Sequence, residues 1–206
     1  MFYEVKNGHP LPHNPIYACV VPRPIGWISS IDEKGTHNLA PYSFFNAVSV
    51  DPPMIMFCPC GFHAEGGEKD SGINAIDKGE FVYSMATYEM KDAMNLSSIS
   101  APRDQDEFEI AGVEKADSIL IDPPRVKSSP ISFECKTWKV IDLPRAKNGS
   151  KNTIVIGSVI GVHIDDSCLV DGKIDLLKIR PISRLGYKDY AVIDELFSLS
   201  PTLVWR

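Results

Sequence analysis

The segment Lys69-Asp70-Ser71 is well suited to hold an anion. A lysine ammonium, a serine hydroxyl and the free amides of a helix start together suit a phosphate group. A helix start is predicted here, because Asp70 or Ser71 can cap a short helix that runs to about Lys78, with Gly79 as its stop signal. The same residues also fit a plain helix cap beside a solvated lysine. Residue types alone leave both interpretations open.

Two further stretches combine hydrogen-bonding groups with apolar surface, namely residues 25–31 (IGWISSI) and 40–46 (APYSFFN). A flat aromatic ligand with a polar edge needs this mixture, since its ring takes an apolar slot and its edge takes hydrogen bonds. In an unrelated barrel the serines would be ordinary strand residues and the aromatic side chains would be core. The candidate binding residues in these stretches are Trp27, Ile28, Ser29, Ser30, Ala40, Pro41, Tyr42, Ser43, Phe44 and Asn46.

Two isolated residues outside these stretches are further candidates. Arg23 lies between Pro22 and Pro24, and it is either a ligand-binding cation or a surface side chain. His163 is either a functional group or a hydrogen-bonded histidine of a barrel strand. The residues alone leave both alternatives open.

The common catalytic motifs are missing from the sequence. It contains no P-loop, no dinucleotide fingerprint and no glycine-flanked nucleophilic serine. Cys58-Pro59-Cys60, with His63 nearby, is spaced too tightly for a zinc site and no second pair follows it. The five cysteines are an odd number in a chain that is not small, so a disulfide framework is not predicted. We expect packing thiols and no metal.

The elements that must position these residues are mostly strands. Residues 102–109 are charged and are predicted to form an exposed loop or lid, and residues 32–35 are typical of a hairpin turn. A phase slip in the apolar alternation after residue 131 predicts a bulge or bend near Thr137. Many short strands with few helices favour a barrel or sandwich. Strands are predicted over 16–21, 25–31, 37–50, 54–58, 131–137 and 153–164, and helices over 70–78 and 88–99.

The predicted strand 153–164 is apolar on both faces. A small barrel need not cover both faces, and exposed apolar surface usually marks an interface. The sequence therefore predicts a homodimer. Gly157 and Gly161 lie on one face of this strand, where the missing side chains leave room for a close approach.

Composition narrows the classes of function. The chain has 206 residues, enough for one domain over 1–206, and a net charge of −6 from 21 basic and 27 acidic residues. An acidic chain without a long basic cluster is a poor binder of nucleic acid. No apolar run approaches the roughly 18 residues of a membrane span. The first residues, MFYEVKNGHPLPHNP, lack the pattern of a secretory signal, so the expected location is the cytoplasm.

One long segment, residues 22–57, resembles the N-terminal half of flavin reductase-like proteins: PRPIGWISSIDEKGTHNLAPYSFFNAVSVDPPMIMF. Further similarities follow in the family's order at 68–74, 79–82, 157–163 and 184–190. Together they span roughly residues 16–197, nearly the whole chain. Ser71 replaces the commoner threonine of the family pattern, and Tyr187 stands where a second glycine is usual.

The resemblance implies a mainly β fold, a Greek-key FMN-binding split β-barrel with a few peripheral helices. It implies FMN near the interface of a homodimer, held by the candidate residues of the two stretches, by Lys69, Asp70 and Ser71, and by Arg23. It also implies NADH or NADPH as the electron donor. Hydride transfer needs no catalytic acid or base, so no catalytic triad is expected. His163 is the one residue that we keep as a possible catalytic group.

Three classes of function are compatible with this resemblance. The first is an NAD(P)H-dependent flavin reductase that supplies reduced flavin to an unidentified acceptor protein or reduces another acceptor. The second is an electron carrier with tightly bound FMN and no nicotinamide site. The third is an oxidase on the related barrel of pyridoxamine-phosphate oxidases, against which segment 22–57 argues.

Overall fold

The N-terminal half of the chain folds into short strands separated by turns. The computed structural model describes residues 1–199, so residues 200–206 of the predicted domain lie outside the described part. The turn predicted at 32–35 is confirmed: the Asp32 carboxylate accepts the N–H groups of Lys34 and Thr36, and Gly35 takes a φ of +89°. The first strands are β1 (Arg23–Pro24), β2 (Gly26–Ile31), β3 (His37–Tyr42), β4 (Phe45–Val50) and β5 (Pro53–Phe57).

The rest of the chain alternates short helices with two long strands. The helices are α1 (Asp70–Asp77), α2 (Lys91–Leu96), α3 (Glu107–Ala111) and α4 (Leu176–Ile179). The strands are β6 (Glu80–Met85), β7 (Lys115–Ala116), β8 (Arg125–Val126), β9 (Ile131–Leu143), β10 (Asn152–Ile164), β11 (Leu169–Val170), β12 (Lys173–Ile174), β13 (Ile182–Arg184) and β14 (Tyr190–Val192). In residues 1–199, no helix is both long and apolar enough to cross a membrane.

A seven-stranded antiparallel sheet with the order β3-β2-β6-β9-β10-β5-β4 forms the main body. Its two edge strands, β3 and β4, are consecutive in the chain and are joined by Ser43 and Phe44 alone. Two residues span only about 7 Å, so both edges must meet at this end and the sheet curves into an open barrel. A small sheet, β1-β13-β14, lies beside β4. The link between β3 and β4 therefore lies at the split of the barrel.

The core lies on both sides of β2. Ile28 joins Phe57, Phe81 and other residues of the barrel interior, which α1 closes with Ala75. Trp27 faces the opposite way, into a second cluster that α2 and α3 cover. Burial on both faces explains why this strand shows no alternation of buried apolar and exposed polar residues, and why its two serines are buried.

Four predicted elements differ in the structure. The single strand predicted over 37–50 is two strands, β3 and β4, because the chain bends at Ser43 and Phe44. Residues 16–21 are not a strand; Ile16–Ala18 form a 3₁₀ helix, because Asn14 accepts the Ile16 N–H and no neighbouring strand pairs with the segment. The helix predicted over 88–99 is a 3₁₀ turn at Tyr88–Met90 followed by the shorter α2. The predicted loop 102–109 ends at Asp106, which caps α3, and Glu107 and Phe108 are buried.

The bulge predicted near Thr137 is confirmed. Ile156 pairs with Lys139 and Gly157 pairs with Thr137, which leaves Trp138 without an opposite residue. The Phe81 ring fills the space beside Gly157, since an added Cβ there would lie 2.4 Å from it. The missing side chain there serves packing rather than a ligand.

Candidate functional site

The start of α1 forms a small polar niche. Lys69 is the N-cap residue and Asp70 is the first helical residue, so the predicted cap at Asp70 or Ser71 is wrong. No side chain caps this N-terminus. The Gly72 N–H already donates to the Lys69 carbonyl at 3.0 Å, so the N–H groups of Asp70 and Ser71 are the ones left for a ligand. A cavity of about 110 Å³ lies against it, and we call it the anion niche. Its walls include Asn38, Pro41, Tyr42, Lys69, Asp70, Ser71, Ser98, Ser100 and Glu107.

Lys69 is a partly buried cation. Burial lowers its pKa, and the nearby positive charge of Arg103 lowers it further. Both effects penalise the charged lysine in the free protein. A bound anion would offset both, because an opposite charge favours the protonated amine.

The negative charge of Asp70 is balanced by neighbours that no sequence pattern indicates. Its carboxylate pairs with Arg103, and the His63 Nε2 atom lies 3.4 Å from it. Arg103 also donates to the carbonyls of Gly66 at 2.8 Å and Glu68 at 3.0 Å. The loop that carries Arg103 is thereby fixed against the start of α1, so part of the predicted lid is a wall of the niche.

A buried hydrogen-bond network lies behind the niche. The Ser71 hydroxyl donates to Asn38 Oδ1 at 2.5 Å, and the Asn38 amide donates to Glu107 at 3.0 Å. Asn74 donates to the Ser30 hydroxyl at 3.1 Å, and Ser30 lies 3.4 Å from Asn38. Burial raises the pKa of the Glu107 carboxyl. The Ser71 hydroxyl is thus held in the wall of the niche, whereas Ser30 is buried behind it and does not line it. Both hydroxyls already have partners.

A larger cleft of about 670 Å³ adjoins the anion niche. The two share Pro41 and Ser98, so they lie next to each other. Phe44, which is 38% exposed, and Pro41 provide apolar surface, and Ser43 provides a hydroxyl. The lining also includes Arg23, Ile25, Arg184, Tyr187 and Tyr190, with the Arg23 guanidinium 5.9 Å from the centroid of the Phe44 ring.

Arg23 is not a free surface side chain. Its guanidinium donates to the carbonyls of Tyr17, Val20 and Leu185 at 2.5, 2.6 and 2.9 Å. Its Nε atom is buried and has no partner within the described chain. The side chain therefore ties the N-terminal segment to the barrel edge, and its Nε atom is a buried donor without an acceptor in residues 1–199.

The backbone conformation of Tyr187 explains why a glycine is usual at this position in the family pattern. Its φ is 57°, in the left-handed region where glycine is favoured. A second glycine would adopt this conformation without strain. The tyrosine ring instead lines the cleft, with its centroid 5.7 Å from that of His13. The departure from the family pattern thus adds an aromatic wall.

Several predicted residues lie elsewhere. Trp27 is 0% exposed and donates to Ser97 Oγ at 2.9 Å, while Ile28 is core and Ser29 donates to the Pro124 carbonyl. Their side chains line neither cavity. Asn46 is exposed beside a third cavity, and its amide oxygen accepts the N–H of Ala47. The structure thus brings together the residues of β3, of the β3–β4 link and of α1, but not the side chains of Trp27, Ile28 and Ser29.

His163 belongs to a separate buried cluster. Its Nε2 atom lies 2.6 Å from the carboxylate of Glu134, whose side chain is 0% exposed. The same carboxylate accepts the N–H groups of Ile119 and Leu120, both at 2.7 Å. Burial acts to raise the pKa of Glu134, but these hydrogen bonds outweigh it and the pKa is lowered. His163 lines neither the niche nor the cleft, which favours the structural interpretation of this residue.

The remaining walls are apolar or permanently neutral at physiological pH. Burial raises the pKa of Tyr42 to about 12, and its ring centroid lies 5.3 Å from that of Phe57. Ala40 and Pro41 expose part of their surface on the same strand, β3. The site therefore offers a helix start with a lysine at one end and, at the other, a cleft with both aromatic and polar walls. Such a site fits a planar ligand that carries a phosphate group.

The fold and this site define a split-barrel protein with a binding site at the split. The family model described as flavin reductase like domain matches residues 17–177, and the chain belongs to this family. The predicted fold, a mainly β Greek-key split barrel with peripheral helices, is confirmed. Membership associates the chain with a flavin-related function.

Relatives of this family cover nearly the whole chain. An uncharacterized protein of Halalkalibacterium halodurans is 33% identical over 189 residues, 91% of this chain and 90% of that protein. The crystal structure of nitrilotriacetate monooxygenase component B from Bacillus cereus is 30% identical, with a TM-score of 0.83 over 93% of this chain and all of that one. The 2-nitrobenzoate 2-nitroreductase of Pseudomonas fluorescens is 28% identical, with a TM-score of 0.79 over 93% of this chain and 91% of its own.

Proposed function

We propose that the protein is an oxidoreductase that binds FMN and reduces it with NADH or NADPH. The observation that carries the proposal is the uncapped start of α1, with Lys69 beside it, next to a cleft with aromatic walls. FMN has a phosphate at one end and a flat ring at the other, which fits this order of surfaces. The family and the names of its relatives, a monooxygenase component and a nitroreductase, support flavin-dependent redox chemistry.

Each part of the site has a distinct role in this proposal. Lys69 and the first-turn amides of α1 hold the phosphate by charge-assisted hydrogen bonds. Pro41 and Phe44 pack against the ring, while the Ser43 hydroxyl faces its polar edge and Arg23 lines the cleft beside it. FMN, when bound, supplies the two-electron acceptor, so the chain needs no catalytic acid or base for the transfer.

The open side of the cleft is the proposed entry for the nicotinamide donor. Arg184 lies there, with its guanidinium 4.6 Å from the centroid of the Tyr190 ring, and its Nη2 atom donates to the Tyr187 carbonyl. An arginine held in this way is prepared to meet a diphosphate, which both NADH and NADPH carry. This arrangement favours the reductase over an electron carrier without a nicotinamide site.

The decisive experiment mixes the FMN-loaded protein with NADH or NADPH under nitrogen. We expect the visible flavin absorbance to bleach, and steady-state oxidation of the donor when excess FMN is present. An FMN-loaded protein that neither donor bleaches would contradict the reductase and favour the electron carrier. An unidentified acceptor protein remains part of the proposal and is not needed for this assay.

FMN is expected to bind at least tenfold more tightly than FAD. Asp70 lies between the anion niche and the next cavity, of about 260 Å³, where the second phosphate of FAD would extend. A carboxylate, even one paired with Arg103, disfavours a second phosphate there. Titration of the flavin-free protein with each flavin, followed by flavin fluorescence, measures both affinities. Equal or tighter FAD binding would show that the niche does not select a terminal phosphate.

The protein is also expected to form a homodimer. Several apolar side chains of β9 and β10 remain exposed in the single chain, among them Trp138 and Val162, which are 58% and 55% exposed. Monomeric proteins rarely leave such surface uncovered. Sedimentation at micromolar concentration should show a dimer, and Val162→Asp should shift it toward monomer because the interface would bury a charge. A wild-type monomer at that concentration would refute this prediction.

A further inference from the structure

Cys58 and Cys60 are held close together directly after β5. The Cys60 N–H donates to the Cys58 carbonyl at 2.9 Å, which folds the chain into a tight turn at Pro59. Residues two apart are separated by at most about 7 Å in an extended chain, and a turn shortens that distance. The two Cα atoms therefore fall in the range of roughly 4.4–6.8 Å that a disulfide spans. Both thiols are free in this structure.

The two thiols also interact with each other. The neighbouring Cys58 side chain lowers the pKa of Cys60 to about 7, against burial, and the Thr153 backbone N–H adds to this effect. The same proximity raises the pKa of Cys58, whose Sγ atom lies 3.9 Å from the Met56 Sδ atom. One thiol is thus prepared to act as a nucleophilic thiolate near neutral pH, while its neighbour retains a proton.

The pair opens onto the split of the barrel. Both thiols line a cavity of about 640 Å³ together with Asn46 and Met56. This cavity shares Arg23, Ser43 and Phe44 with the cleft that we assign to the flavin ring. The Cys58 N–H also donates to the Phe44 carbonyl at 2.9 Å, which fixes the pair to the β3–β4 link. Cys135 and Cys168, by contrast, are buried in the core.

We propose that Cys58 and Cys60 form a reversible dithiol–disulfide pair that exchanges two electrons with the flavin in the adjoining cleft. This inference rests on the proposed FMN site. Reduced FMN gives up two electrons and two protons and becomes oxidised FMN; the S–S bond breaks and two S–H bonds form. The reverse reaction closes the disulfide and reduces the flavin. The pair thereby stores two electrons beside the cofactor.

A metal site is the competing use of two adjacent thiols. Within residues 1–199, no group of three histidine, cysteine or acidic side chains is arranged to hold a metal ion. Two thiols alone leave a structural zinc site incomplete, since such sites use four protein ligands. The geometry therefore favours the disulfide over a metal.

The first arm of the test asks whether the disulfide forms. The protein is oxidised with diamide, the oxidant is removed, and the thiols of the denatured chain are counted and mapped by peptide mass. We expect the five thiols of the reduced chain to fall by two, with one peptide linking Cys58 to Cys60. An unchanged count, or a link to another cysteine, overturns the proposal. This arm does not depend on FMN.

The second arm asks whether the pair exchanges electrons with the flavin. The oxidised, FMN-loaded protein is titrated with dithionite under nitrogen while the flavin absorbance is followed. Wild type should take up two electrons more per flavin than the double variant Cys58→Ser with Cys60→Ser. Cys19→Ser, which removes an exposed thiol outside the pair, should behave as wild type. Cys60→Ser alone serves if the double variant does not fold.

The two proposals fail in different ways. Bound FMN with equal electron uptake in wild type and the variant overturns the exchange and leaves the flavin site standing. A protein that binds no FMN overturns the proposed function and the exchange together, even where the thiol count still reveals the disulfide.

Discussion

Changing Lys69 to alanine is expected to weaken FMN binding by roughly ten- to a hundredfold. A charge-assisted hydrogen bond to a phosphate contributes about 1.5–3 kcal/mol, and each 1.4 kcal/mol is a factor of ten in affinity. The partial burial of Lys69 and the uncapped start of α1 place this cation where a phosphate would meet it. The fold should survive, because the lysine contributes little to the core.

Riboflavin and a second lysine provide the controls. Riboflavin lacks the phosphate, so its affinity for Lys69→Ala should barely change. Lys78 lies at the other end of α1, and Lys78→Ala removes an equal charge far from the niche. It should leave both affinities as they are. Loss of both ligands in Lys69→Ala would indicate damaged folding, and unchanged FMN affinity would place the phosphate elsewhere, with Arg23 as the next residue to mutate.

Breaks in the strands of this protein are predictable where the sequence carries a local signal. The turn at Asp32–Gly35 has a glycine where positive φ is required, and the bulge near Thr137 is visible as a slip in the alternation of apolar residues. The segment 16–21 is as apolar as the true strands, but its sequence does not reveal that no neighbouring strand pairs with it. Apolar runs predict burial better than they predict a ladder.

The candidate site was predictable in its segments but not in all of its side chains. Sequence alone cannot tell which face of β2 meets the ligand, because both faces are buried, and Trp27 therefore looked like ring surface. The pairing of Asp70 with Arg103 joins residues more than thirty positions apart, and no local signal reports it. Phe108 among the charges of 102–109 was the one available sign that this stretch packs onto the barrel.

Changing Glu134 to alanine is expected to lower the free energy of unfolding by about 3–5 kcal/mol. The change removes the buried acceptor of three donors, namely the N–H groups of the exposed residues Ile119 and Leu120 and the imidazole of His163. Urea denaturation at neutral pH measures the loss. Glu114→Ala is the matched control, since its pair with Lys127 is exposed and should contribute less than about 1 kcal/mol.

The effect of Glu134→Ala should depend on pH in a defined direction. Because the pKa of Glu134 is lowered in the folded protein, its stabilisation is present above the unfolded value of about 4.3 and is lost as the pH falls through the folded value. The difference between wild type and variant should therefore shrink on acidification. A loss under 1 kcal/mol at neutral pH, or one that is independent of pH, would contradict the role of this carboxylate.

The same variant also separates the two interpretations of His163. Removing Glu134 frees the imidazole from its acceptor, while the anion niche and the cleft, which neither residue lines, stay intact. If His163 is structural, Glu134→Ala protein that remains folded should bind FMN and accept electrons from NADH or NADPH as wild type does. A large fall in the rate of flavin reduction at unchanged FMN affinity would instead make His163 part of the chemistry, and the cluster would then have to reach the cleft in a conformation different from this one.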